Sequence, residues 1–343
     1  MQEAFRVLSS EPLLTHAVAV AYFDSLPTPA ALVSAAAEVL RAPASTPEQR
    51  EAALLQLADL ADSIDTANDF GKLGALSPLV DHLDASTHGA AVRSAAALAL
   101  GVASSNNPPA AGELAALGAV DALLLAAAGR GGDEAEPQGG AANPGGGAAA
   151  RIRAMYALSC VVRLPGPGRE AFHAAGGTQT LRSLFVSSSA PHASPRLAVK
   201  ALVLLTDLAG SGGGGESGGG GESEEHSEFV RAVVRTLSSP DTDAAEKAAR
   251  AVVAMASGAV WAREGAGGAL DALQKRVARD AGAPEGHYAR EVAAVAEAAS
   301  RAVEAAAAAA DEAAPAAEEE AAAVDGGGGG DASHGDAAAN DEL

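Results

Sequence analysis

Aromatic residues are scarce. Phe, Tyr and Trp together make up 3% of the 343 residues, and there is one Trp. A thick globular core draws on more of them, because these side chains bury the largest areas. Cysteine is nearly absent: Cys160 stands alone, which excludes an intrachain disulfide and a cysteine metal cluster. Basic residues are outnumbered, 23 Lys and Arg against 44 Asp and Glu, for a net charge of −21. That balance argues against binding the phosphate backbone of a nucleic acid, which needs clustered cations. No run approaches ~18 uncharged apolar residues, so no membrane span is expected. The apolar run Leu13 to Phe23 is broken by His16 and preceded by Glu3 and Glu11. It lacks the basic lead of a signal peptide and reads as a helix.

Signatures of chemistry are also missing. There is no phosphate-binding GxxxxGK[ST] loop, no HExxH and no EF-hand. Gly215-Glu216-Ser217-Gly218-Gly219 matches G-x-S-x-G, but it lies in a Gly/Ser stretch with no strand before it, so it does not predict a nucleophile. The eight histidines are scattered without metal-ligand spacing on one helix face and read as isolated surface residues. Cys160, beside Met155, Tyr156 and Leu158, reads as a buried structural thiol. No catalytic residue, metal or cofactor is expected, and the chain is not read as an enzyme.

What the sequence does contain is alanine, the best helix former, in a repeating pattern. Leu73-Gly74-Ala75-Leu76 is followed by Leu117-Gly118-Ala119-Val120, then by Gly176-Gly177-Thr178 and by Gly268-Ala269-Leu270. Gly74 to Gly118 is 44 residues, and Gly176 to Gly268 is 92, twice 46. Gly118 to Gly176 is 58, and this interval holds a stretch crowded with Gly, Ala and Pro. Motifs beginning at Ala95, Arg153, Lys200 and Lys247 step by 58, 47 and 47. Removing an insert of about a dozen residues restores the period. Such a period belongs to armadillo and HEAT repeats of two or three helices each. Leu76, Leu79, Val80 and Leu83 form one helical stripe, and Leu98 and Val102 with small neighbours form another. The glycine before each stripe suits a tight turn with positive φ. One unit cannot bury its stripe alone, whereas stacked neighbours can.

The expected fold is therefore all-α, an armadillo/HEAT-like right-handed superhelical solenoid. Residues 1–46 read as an N-terminal helical segment and 47–285 as the repeats. Residues 129–147 and 210–224 read as flexible Gly-rich loop insertions. Residues 286–343 read as an alanine-rich helix followed by a disordered acidic tail. From Asp311 onward there are ten Asp or Glu and no Lys or Arg.

Three segments resemble the armadillo-type nucleotide exchange factors of Hsp70, the Fes and Sil types. They are Ile64-Asp65-Thr66-Ala67-Asn68-Asp69-Phe70 with Lys72 to Leu76, Val92-Arg93 through Leu100-Gly101 to Asn106-Asn107-Pro108, and Arg151 to Ser159 with Arg163. Glu170-Ala171-Phe172 and Gly176-Gly177 follow in the expected order. Thr66, Ala75 and Ser105 depart from the family pattern, and the likeness covers about residues 50 to 210. It implies a co-chaperone that holds the nucleotide-binding domain of Hsp70 and promotes ADP release, without catalysis. Asp65, Asn68, Asp69, Arg93, Asn106 and Asn107 become the candidate contact residues. Each also has a structural reading, as a helix cap or a solvated face residue. The chain ends Asn340-Asp341-Glu342-Leu343, similar to the signal that retains proteins in the endoplasmic reticulum lumen. The expected protein is a monomeric lumenal factor acting on a BiP-type Hsp70. A cytosolic Hsp70 is the alternative partner, and an armadillo-type interaction scaffold with another partner is the alternative function.

Overall fold

The computed structural model describes residues 27–129, 146–189, 194–210, 224–257, 259–281 and 287–325. The apolar run before residue 27, residues 130–145 and 211–223 of the two expected insertions, and the terminal tetrapeptide lie outside them. The chain divides into two compact units, residues 1–215 and 216–343, so the boundary falls within the second Gly-rich stretch. Every element among the described residues is a helix.

The first unit holds eleven described helices. A pair, α1 (Pro29–Arg41) and α2 (Pro47–Leu60), precedes three three-helix repeats. These are α3 (Ile64–Asp69), α4 (Leu76–Asp81) and α5 (Ala90–Ser104); α6 (Pro108–Ala116), α7 (Ala119–Ala128) and α8 (Gly146–Val162); and α9 (Pro167–Ala174), α10 (Gly177–Ser188) and α11 (Pro195–Gly210). The second unit contains α12 (Glu224–Leu237), α13 (Thr242–Met255), α14 (Val260–Arg263), α15 (Ala266–Ala281) and α16 (His287–Asp325).

Local chemistry sets these boundaries. Thr28 caps α1 by accepting from the Ala31 amide at 3.2 Å, with Pro29 as the first helical residue. Thr46 and Gln49 form a reciprocal capping box on α2. A capping side chain satisfies amides that the first turn leaves without partners, and proline fits there because it has no N–H to lose. The first and second helices of successive repeats meet at glycines in the left-handed region, Gly74 (φ 68°), Gly118 (φ 78°) and Gly176 (φ 65°). In the second unit that role falls to Gly265 (φ 84°), three residues before the expected Gly268, which lies inside α15. Arginines close several helix ends. Arg41 donates to the Gly74 carbonyl at 2.6 Å, Arg151 to Ala127 at 3.0 Å, and Arg169 to Val162 and Arg163.

The core of each unit is thin and aliphatic. Leu54, Leu57, Phe70, Leu79, Leu100, Leu114, Leu123, Met155, Phe172 and Phe185 are buried in the first unit, Trp261 and Phe229 in the second. Burying one such side chain contributes ~1.5–3 kcal/mol. The expected stripe holds at Leu76, Leu79 and Leu83. On α5 it reverses. Ala95, Ala96, Ala99, Leu100, Gly101 and Ala103 are buried, whereas Leu98 and Val102 are half-exposed. The C-terminal helix also runs on through Asp311 to Asp325, where the composition predicts the start of a disordered acidic tail. Ala and Glu are both strong helix formers, so the helix propagates through them.

Candidate functional site

The third helix of each repeat packs on the third helix of the next. In the first unit α2, α5, α8 and α11 lie side by side in that order, with α5 against α8 the most extensive junction. The close approach has a cause in the sequence. Gly101 of α5 packs directly beneath the Tyr156 ring of α8, where any Cβ would overlap the ring. Because α5 has small residues on nearly every side, its neighbours surround it and only one edge faces outward.

Helical spacing places four outward rows next to one another. The α2 row is Glu48, Glu51, Leu55, Asp59 and Asp62, all exposed or half-exposed. The α5 row is Ala91, Leu98 and Val102, continuing to Ser105, and the α8 row is Ala149, Arg153, Tyr156 and Cys160, continuing to Arg163. On α11 it is Arg196, Lys200, Val203 and Asp207. Two clefts tie the rows together. At the N-terminal ends of the helices, a cleft of ≈ 420 Å³ brings Glu48 and Glu51 together with Ala91, Ser94, Ala149 and Arg153. At the C-terminal ends, one of ≈ 300 Å³ joins Asp62, Ile64, Val102, Ser105, Asn106, Asn107 and Tyr156. Arg163 reaches Asp207 at 2.8 Å and links the third row to the fourth.

The second cleft has an apolar floor and a polar rim. Ile64 is 54% exposed, a large aliphatic side chain that folding leaves in water. The Tyr156 hydroxyl, the Cys160 thiol and Ser105 lie close together beside it. Burial, the leading cause for both, pushes the Tyr156 hydroxyl and the Cys160 thiol above their ordinary pKa values. Cys160 is thus a thiol that resists ionisation, not an activated nucleophile. Asn106 sits at φ 53°, the one non-glycine residue with positive φ among the described residues. It follows the C-terminus of α5 as a left-handed residue, a position asparagine tolerates. Asn107 then caps α6, its Oδ1 accepting from the Ala110 amide at 3.4 Å, while its Nδ2 is buried without a partner.

The structure thus places Asn106 and Asn107 in this cleft. Asp65, Asn68 and Asp69 lie on the neighbouring α3. Ser63, not Asp65 or Asn68, caps that helix, accepting from the Thr66 amide. Asp69 pairs with Lys72 at 2.8 Å, and the Asn68 Oδ1 is buried without a partner. Arg93 is only 6% exposed, so it is neither a solvated face residue nor part of the outward α5 row. The reason is crowding of α5 by its neighbours. Sequence reasoning did not single out Ile64, Leu98, Val102, Tyr156, Arg153, Arg196 or Lys200 for the face. The signal was available only as helical spacing, and the choice of edge needed the packing.

Histidine also departs from expectation. His82 is buried, its Nδ1 donates to the Pro78 carbonyl at 2.7 Å, and its ring stacks on His88 at 4.3 Å between centroids. Burial, first among the causes, lowers the pKa of both. Among the described residues no group of three His, Cys, Asp or Glu side chains has the geometry to hold a metal ion. No single described helix is long and apolar enough to cross a membrane.

Three-helix repeats with a left-handed glycine between the first and second helices, and third helices stacked on one another, define an armadillo-type α-solenoid. Residues 66–211 match the family model described as the SIL1/FES1/HPBP1 C-terminal domain. That span runs from α3 to the residue after α11, the three complete repeats of the first unit. An engineered protein shares the fold at a TM-score of 0.56 and 19% identity, over 80% of this chain and 97% of the other. A designed armadillo repeat protein in complex with the peptide (KR)4 is similar at a TM-score of 0.55 and 21% identity, over 79% and 99%. At these identities the likeness is one of fold alone. No curated protein matches the chain.

Proposed function

We propose that this chain is a nucleotide exchange factor for an Hsp70 chaperone. The observation that carries the reading is the family match over residues 66–211, which coincides with the three repeats that build the α5–α8–α11 part of the face. A solenoid of this kind presents its stacked third helices as an extended binding surface. The surface here carries half-exposed Leu98, Val102 and Tyr156 flanked by charge, a makeup suited to holding a folded domain.

The activity requires no bond making. A factor that binds the nucleotide-free form of the chaperone better than its ADP form shifts the population toward release. By linkage, nucleotide weakens the factor's grip by the same ratio, and a hundredfold ratio corresponds to ~2.8 kcal/mol of coupling. In this reading Ile64, Leu98, Val102, Tyr156 and Asn106 contact the chaperone directly, and the buried Asn107 holds the rim in place as the α6 cap. Asp65, Asn68 and Asp69 support the rim from α3. The proposed compartment is the endoplasmic reticulum lumen, with a BiP-type partner, on the strength of Asn340-Asp341-Glu342-Leu343. The cytosol, with a cytosolic Hsp70, is the alternative.

The test is stopped-flow release of fluorescent ADP from purified lumenal and cytosolic Hsp70s at rising concentrations of this protein. Saturable acceleration with one of them is expected, and its identity decides the compartment. No acceleration with either, from protein that is helical by circular dichroism, refutes the reading. The second reading, a peptide-binding scaffold, is favoured by the fold it shares with designed peptide binders. It predicts peptide capture on the same face with no effect on ADP release.

A further inference from the structure

The chain is strongly acidic, yet its charge is segregated along the first unit. Residues 27–129 hold eleven Asp or Glu and four Lys or Arg. Residues 146–210 hold seven Lys or Arg and only two acids, Glu170 and Asp207. Of the seven, Arg151 and Arg169 are bound to helix-terminal carbonyls, and Arg182 lies on α10, away from the outward rows. The other four, Arg153, Arg163, Arg196 and Lys200, all fall in the outward rows of α8 and α11. Arg163 is paired with Asp207, and the remaining three have no carboxylate partner among the described residues. At the other edge, Glu48, Glu51 and Asp59 of α2, and Asp62 just beyond its end, have no cationic partner among the described residues. Between the two lies the α5 row, which is uncharged.

Unpaired like charges gathered at each edge raise the free energy of the isolated protein, since each set repels itself. Pairing Arg153 or Lys200 with acids of their own repeat would relieve it. Arg153 reaches the cleft that holds Glu48 and Glu51, but the face keeps the α2 acids apart from Arg196 and Lys200 of α11, with an apolar strip between. With neighbouring helices ~8–10 Å apart, the acidic α2 edge and the basic α11 edge are separated by roughly 25–30 Å. That is a span for a folded domain, larger than the width of one extended peptide.

We infer that this face recognises a folded protein domain by polarity. The domain carries an acidic patch that meets Arg196 and Lys200, a basic patch that meets Glu48, Glu51 and Asp59, and an apolar strip that meets Leu98, Val102 and Tyr156. The arrangement admits one orientation, because turning the partner through 180° would set like charges against each other at both edges. The inference rests on the Hsp70 reading of this face and adds to it the direction in which the chaperone's domain lies.

The test uses the full chain with the nucleotide-binding domain of the Hsp70 that responds in the ADP-release assay. Three double variants are compared with the unsubstituted protein: Arg196→Glu/Lys200→Glu, Glu48→Lys/Glu51→Lys, and Asp121→Lys/Glu170→Lys. The last makes the same charge change as the second, but on α7 and α9, outside the rows. All six positions are exposed or half-exposed, and circular dichroism checks that each variant is folded. At 50 mM salt each face variant should associate about tenfold more slowly, and at 500 mM salt within about threefold of the unsubstituted protein, while the third keeps its rate. Equal rates for face and control variants overturn the inference and leave the Hsp70 reading standing. No binding by the unsubstituted protein refutes the Hsp70 reading, and the inference falls with it. Sedimentation velocity at 50 mM salt should show a monomer. A dimer that either face variant dissociates would assign the face to a second copy of the chain and overturn the inference.

Discussion

Replacing Gly101 by alanine should destabilise the protein, and removing Tyr156 should reverse the sign. Gly101 is fully buried in α5, and an added Cβ would overlap the Tyr156 ring at Cδ1 and Cε1 while meeting the Ala157 Cα at 3.3 Å. The ring must therefore move, although its hydroxyl lies close to Ser105 and Cys160. Overpacking of this kind costs ~1–3 kcal/mol. Against this, alanine is favoured over glycine inside a helix by ~1 kcal/mol. The net expectation is a loss of about 1–2 kcal/mol for Gly101→Ala. In a Tyr156→Ala background the obstacle is gone and only the Ala157 contact remains, so the same change should be neutral or stabilising by up to ~1 kcal/mol. The two substitutions should thus couple by about 2 kcal/mol, well beyond the ~0.3–0.5 kcal/mol scatter of independent sites. Urea unfolding followed by circular dichroism at 222 nm, on the four proteins of the cycle, measures it. An equal effect of Gly101→Ala in both backgrounds, within ~0.5 kcal/mol, would show that the ring is not what reserves this position for glycine.

Asn107→Ala should cost ~1 kcal/mol through loss of the α6 cap. Asn107→Ser should recover most of it, and identical melting of the two variants would refute the capping role. The stacked histidines make stability pH-dependent. The folded-state pKa values of His82 and His88 lie below the ordinary 6.5, with burial the first cause and the Arg50 charge adding to it, while Asp81 and Asp84 act the other way. The unfolded chain therefore binds more protons than the folded one below pH 6.5. Stability is complete above 6.5 and declines as pH falls through that value toward the folded pKa values. Urea midpoints at pH 7.5 and 5.5 should differ less in His88→Gln, and an unchanged difference would refute the account.

The period, the all-helical class and the turn glycines at positions 74, 118 and 176 were legible in the sequence, because each follows from local chemistry. Alanine and leucine at helical spacing specify a helix, and a left-handed turn demands a residue without Cβ. Gly268 was mistaken for the turn residue because Gly265, Gly267 and Gly268 crowd together, and only the backbone path shows which one takes positive φ. The acidic composition after Asp311 suggested a solvated tail, yet composition does not distinguish a solvated helix from a solvated coil.

The face itself was decided by tertiary structure. On α5, Leu98 and Val102 carry large apolar side chains, and periodicity alone assigns them to the core. The stacking of α2 and α8 on either side reverses that assignment. Helices approach most closely through Ala95, Ala96, Ala99 and Gly101, so these small residues are buried alongside Leu100, while Leu98 and Val102 turn outward. The same crowding buries Arg93. The charges of α2, α8 and α11 are distant in sequence and carry no local mark of belonging together. Helical period determines which residues share an edge of one helix, whereas the packing of one repeat on the next determines which edge meets solvent.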